Sequence, residues 1–79
     1  MRSTDIINTG SYVLTSYGNG TAYALKNLKA NASVFFQGDD ASAFWDRLQA
    51  YEDAAPNRPT SSILRELWSD YEHVAAPIN

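Results

Sequence analysis

The chain has 79 residues, is 44% hydrophobic and 19% charged, and carries a net charge of −3 with no cysteine. One core fits such a length, since independent domains need roughly 50–200 residues. The missing cysteine excludes disulfide scaffolds, thiolate zinc sites and cysteine catalysis. Ten aromatics (three Phe, two Trp, five Tyr) argue against a disordered chain.

No stretch approaches the ~20 consecutive apolar residues of a membrane span. Residues 1–8 lack the apolar run of about 7–15 residues that a signal peptide needs. A cytoplasmic protein of a bacterial host cell with no membrane contact is the expectation, with residues 1–10 as an N-terminal segment. Residues 11–17, Ser-Tyr-Val-Leu-Thr-Ser-Tyr, are rich in β-branched and aromatic side chains and predict a strand. Gly18-Asn19-Gly20 follows as a tight turn, because Gly and Asn accept positive φ. Thr21-Ala22-Tyr23-Ala24-Leu25-Lys26 reads as the return strand, with Tyr23 and Leu25 on one face. Residues 27–31 form a polar turn, and Ala32-Ser33-Val34-Phe35-Phe36-Gln37 is a third, strongly apolar strand.

Gly38-Asp39-Asp40 stops that strand, and Asp39 or Asp40 is placed to cap a helix beginning near Ala41. Phe44, Leu48 and Tyr51, with Trp45 beside them, fall on one helical stripe. Ala54-Ala55-Pro56-Asn57-Arg58-Pro59 breaks the chain. Thr60 then caps a second helix bearing Ile63, Leu64, Leu67, Trp68, Tyr71, Val74 and Ala75, until Pro77 halts it. Phe35, Phe36, Trp45 and Trp68 are expected in the core. The expected architecture is a single α+β domain over residues 1–79: a three-stranded antiparallel meander (11–37) packed by a C-terminal helical pair (40–76), in the order βββαα.

The side chains limit the chemistry. His73 is the only histidine, so a histidine metal cluster cannot be built within one chain. Asp70, three residues earlier, could pair with it, but a charged histidine near a helix C-terminus is better explained by the dipole than by catalysis. Asp39 and Asp40 are paired carboxylates, but a strand-to-helix turn places them to satisfy free N–H groups rather than a metal. Phosphate loops, dinucleotide glycine patterns and HExxH are absent from the sequence. Neither an enzyme nor a cofactor is expected. The six Lys and Arg are scattered, and direct nucleic-acid binding needs a basic groove.

Charge divides along the chain. Residues 1–38 hold Arg2, Lys26 and Lys29 against Asp5, a net 3 − 1 = +2, whereas residues 39–79 hold Arg47, Arg58 and Arg65 against eight carboxylates, a net 3 − 8 = −5. Those eight are Asp39, Asp40, Asp46, Glu52, Asp53, Glu66, Asp70 and Glu72. An acidic helical surface repels phosphates and attracts basic surfaces, including those that hold nucleic acid.

Residues 17–25 (Tyr-Gly-Asn-Gly-Thr-Ala-Tyr-Ala-Leu), with Val34-Phe35-Phe36-Gln37-Gly38-Asp39-Asp40-Ala41 and then Phe44, carry a resemblance that spans roughly residues 11–75. The segment resembles very small, Cys-free, acidic proteins of phages and mobile elements, among them anti-CRISPR inhibitors of type I surveillance complexes that act as DNA mimics. The resemblance implies an inhibitor that blocks DNA access, and the charge pattern supplies the eight carboxylates as the groups expected to face a partner's Lys and Arg. The departure is the modest −3 overall, so mimicry must rest on the second half. The alternative is a non-enzymatic protein–protein interaction module working through aromatics on the open sheet face, Tyr12, Tyr17 and Tyr23.

Overall fold

Alternating apolar segments in the first half pair into a sheet, and the two helical stripes of the second half cover one side of it. In the computed structural model, which describes residues 3–18 and 20–78, the strands are β1 (Ser3–Asn8), β2 (Tyr12–Tyr17), β3 (Ala22–Asn27), β4 (Ala32–Gln37) and β5 (Ala76–Pro77). The helices are α1 (Asp39–Ala54) and α2 (Thr60–Tyr71), followed by a 3-10 turn at Glu72–Val74. Asn19, the middle of the expected turn, and Arg2 lie outside the described residues.

The α+β class and the antiparallel meander hold, but the sheet has five strands in the order β1-β2-β3-β4-β5 rather than three. The segment expected to lead into the sheet is itself strand β1. Its side chains are nearly all exposed, so nothing selects the apolar alternation that marks a half-buried strand. An irregularity between Asp5 and Ile7 turns Ile6 outward and Ile7 toward the core. At the other edge, β5 pairs with Ala32 and Ser33 of β4. Pro77, expected only to end a helix, sits in this edge strand, where proline is tolerated.

Both expected caps are corrected. Gly38, at φ 59 and ψ −133, is the N-cap of α1 and no side chain caps the helix. Asp39 and Asp40 occupy its first turn instead, where their charge still favours the helix dipole. Pro59 is the N-cap of α2 and Thr60 is its first residue. A Cβ at Gly38 would meet no atom within 4 Å, so Gly38→Ala isolates backbone strain. We expect it to destabilise the protein by about 1–3 kcal/mol, read from the shift of the urea midpoint at constant slope.

The core lies between the helices and one face of the sheet. Leu14, Tyr23, Leu25, Val34 and Phe36 from the sheet meet Ala41, Phe44 and Leu48 of α1 and Ile63, Leu64, Leu67 and Trp68 of α2. Phe36 stacks on Phe44 with centroids 4.3 Å apart, and Tyr71 meets Phe36 edge-on at 4.9 Å. Tyr23 stacks on half-buried Trp45 at 5.3 Å. Two apolar residues of the expected pattern lie outside the core. Val74 is exposed because α2 ends at Tyr71 and the 3-10 turn carries it off the stripe. Phe35 is exposed because consecutive strand residues point to opposite faces, and Val34 and Phe36 take the core side.

Candidate interaction surfaces

The eight carboxylates do not form one patch. Asp39, Asp46 and Asp53 follow a seven-residue spacing, about 10.5 Å of helix rise per step. All three are exposed on the side of α1 away from Ala41, Phe44 and Leu48, and together they make a ridge. Asp40 lies about 100° around the helix from Asp39 and lines a groove with Asp70, Tyr71 and His73. Glu52 is half-buried on another flank, accepting a hydrogen bond from Gln49 Nε2 at 3.3 Å. Glu72 is exposed in the 3-10 turn.

The two remaining carboxylates are neutralised by arginines. Glu66 is ion-paired with Arg58 from the interhelical segment. Asp70 Oδ2 accepts from Arg47 Nε at 3.1 Å and from the Tyr51 hydroxyl at 2.9 Å, joining α2 to α1. Both carboxylates therefore help hold the helix pair together. Asp70 is bonded to Arg47 and Tyr51 rather than to His73. Among the described residues no group of three or more His, Asp or Glu is placed to hold a metal ion. No described helix is long and apolar enough to cross a membrane.

The hydrogen bond to the Asp70 carboxylate raises Tyr51 above the ordinary tyrosine value. The Tyr51 oxygen and then Asp70 raise Arg47 above its own. Because the folded value of Tyr51 is the higher one, its stabilisation is complete below the unfolded value near 10 and is lost as pH rises through the folded value. Spectrophotometric titration of the five tyrosines is expected to show one ionising later than in Asp70→Asn. Superimposable curves for the two proteins would contradict the assignment.

The other surface is the sheet face that the helices leave open. Its rows, read across the register, are Asp5–Thr15–Ala24–Phe35, Asn8–Val13–Lys26–Ser33 and Ser3–Tyr17–Ala22–Gln37. Of the three tyrosines expected here only Tyr17 is present; Tyr23 is in the core and Tyr12 packs against it from the helical side. Phe35, whose hydrophobicity argues for the core, is 54% exposed. Its β4 and the β2 of Tyr17 flank β3, so their backbones are separated by about two strand spacings, roughly 9.6 Å. The two ring centroids nonetheless lie only 5.7 Å apart, edge to face. The rings lean together over Ala22 and Ala24, whose small side chains leave the space.

That arrangement explains why Thr15, Ala22 and Ala24 are buried on a face with no second layer. The rings shelter the alanines, and Asp5 accepts a 2.8 Å hydrogen bond from the Thr15 hydroxyl. The signal for Phe35 was present in the sequence: three successive apolar residues in a short strand force one of them onto the opposite face. Comparison of the chain with protein-family models, curated proteins and solved structures gives no match.

Proposed function

We propose that the chain is a non-enzymatic protein-binding domain that docks a folded partner through the open sheet face around Phe35 and Tyr17. The observation behind this reading is Phe35 itself, a large aromatic more than half exposed on β4, on the face of the sheet that no helix covers. Aromatic anchors ringed by polar groups are the usual makeup of protein interfaces, and Asp5, Lys26, Ser33 and Gln37 form such a rim. A preformed strand surface also orders few side chains on binding, so little entropy opposes association.

A second reading rests on the line of Asp39, Asp46 and Asp53. In it the ridge of α1 engages the basic surface of a nucleic-acid-handling complex, in the manner of the anti-CRISPR inhibitors that the sequence resembles. Such a complex would be a type I surveillance complex kept from its target DNA. The contact set is then these three residues rather than all eight carboxylates, since Glu66 and Asp70 face arginines of the same chain, Glu52 is half-buried beside Gln49, and Asp40 and Glu72 lie off the ridge.

Salt separates the two. Partner capture from bacterial lysate with wild-type and Phe35→Ser baits, at about 0.05 M and 0.5 M salt, compares a Debye length above 10 Å with one well below it. A protein retained at both salts by the wild type and lost from the Phe35→Ser bait is the expected result. A protein held equally by both baits at low salt and released at high salt would favour the α1 ridge and reject the sheet.

A further inference from the structure

The cations of this acidic chain are not evenly used. Among the described residues Arg47 is tied to Asp70 and Arg58 to Glu66, and Lys26 lies on the open sheet face. Lys29 and Arg65 form no ion pair with any described residue, and both line one cavity of about 290 Å3. Three elements meet there: the β1–β2 turn with Ser11 and Tyr12, the β3–β4 turn with Lys29, and the first turns of α2 with Ser61 and Arg65. No carboxylate is among the lining residues.

The donors are available. The side chains of Ser11, Tyr12, Lys29, Ser61 and Arg65 take part in none of the hydrogen bonds among the described residues, while Thr9 and Ser62 at the same cavity are already engaged with Tyr12 and Arg58. The frame is also fixed before any ligand arrives. The Leu28 N–H donates to the Ser11 carbonyl at 2.9 Å, holding the two turns together. Ser61 and Arg65 are four residues apart and so share one face of α2.

We infer that this cavity binds a small phosphate-bearing anion, with Lys29 and Arg65 meeting its charge and the hydroxyls of Ser11, Tyr12 and Ser61 completing its oxygen shell. Two cations and three hydroxyls match the charge and the oxygen count of a phosphate dianion. A monocarboxylate carries one charge and would leave one of the two cations unpaired. The volume lies at the lower end of the range for small-molecule sites, about 300–1,000 Å3, so the ligand is a phosphate with a small organic group at most. The site is independent of the open sheet face, as neither Phe35 nor Tyr17 lines it.

The test is an amide-resolved NMR titration of the full chain with inorganic phosphate and, separately, with O-phosphoserine, against sodium chloride at matched ionic strength. Saturable shifts confined to the two turns and the start of α2 are expected with phosphate. Tighter saturation by O-phosphoserine would assign a phosphorylated small molecule, and equal saturation would assign phosphate itself. Arg65→Ala and Lys29→Ala, both at exposed positions, should each weaken binding by at least about tenfold, the effect of removing a charge-assisted hydrogen bond. Lys26→Ala removes the same charge elsewhere and should leave binding unchanged. Shifts that grow linearly with anion concentration, or that persist equally in Lys29→Ala and Arg65→Ala, would overturn the assignment.

Discussion

Phe44→Ala is expected to destabilise the protein by about 3–5 kcal/mol, the range for removing a buried phenylalanine. Phe44 is fully buried and central to the aromatic cluster: it stacks on Phe36 and lies 6.1 Å from Tyr23 and 5.9 Å from Tyr71, centroid to centroid. Truncation therefore removes the element through which α1, β3, β4 and the end of α2 contact one another, and the surrounding rings are too rigid to close the space. A domain of 79 residues has a total stability of roughly 4–12 kcal/mol, so the variant should be largely unfolded at the lower end of that range. Circular dichroism melting checks it, since each kcal/mol shifts the midpoint by about 4–8 °C at this size. Phe44→Leu keeps most of the volume and should cost distinctly less. Equal melting temperatures for Phe44→Ala and wild type would mean that α1 does not seat on the sheet through this residue.

The elements that could be read from the sequence are those whose pattern reports burial. Strands β2 to β4 alternate or run apolar because one face meets the helices, and α1 and α2 show their stripes for the same reason. Strand β1 could not be read in this way, because an exposed edge imposes no pattern on Ser3–Asn8. Strand β5 is two residues long and is defined only by its partner on β4. The helix starts differed by a residue or two because Gly38 and Pro59 fix them through backbone geometry rather than through a capping side chain.

The interaction surfaces were less legible, for a different reason. The Asp39–Asp46–Asp53 ridge follows from helical period alone, and local spacing suffices to find it. The fates of Glu66 and Asp70 do not follow from spacing. Arg47 and Asp70 are 23 residues apart and meet only after the helices pack. Local charge counting thus overstates an acidic surface wherever tertiary contacts bring in arginines. Phe35 shows the complementary error: its hydrophobicity argues for burial, but strand alternation within Val34-Phe35-Phe36 overrides that argument.

Phe35→Ala is expected to weaken partner binding by at least about 30-fold, the loss of a hot-spot side chain worth 2 kcal/mol or more, while leaving the fold intact. The two effects can be separated by magnitude. Full burial of a phenylalanine is worth about 1.5–3 kcal/mol, and Phe35 is 54% exposed, so less than half of that is at stake. The edge contact with Tyr17 adds about 0.5–1.5 kcal/mol, giving a loss of about 1–3 kcal/mol in all, centred near 2 kcal/mol. A protein starting near 5 kcal/mol would retain about 3 kcal/mol, a folded-to-unfolded ratio above 100. Unfolding then lowers the active concentration by only about 1%, far short of the change in affinity. Tyr17→Ala should show a weaker form of the same effect, because Tyr17 supports the ring of Phe35 from across β3. Reversal of Asp39, Asp46 and Asp53 to Lys should change this affinity by less than about threefold at 0.15 M salt, where exposed charges are largely screened beyond ~8 Å. Isothermal titration of the captured partner against the four proteins decides the matter. A large loss on charge reversal with wild-type affinity in Phe35→Ala would move the interface from the sheet to the ridge of α1.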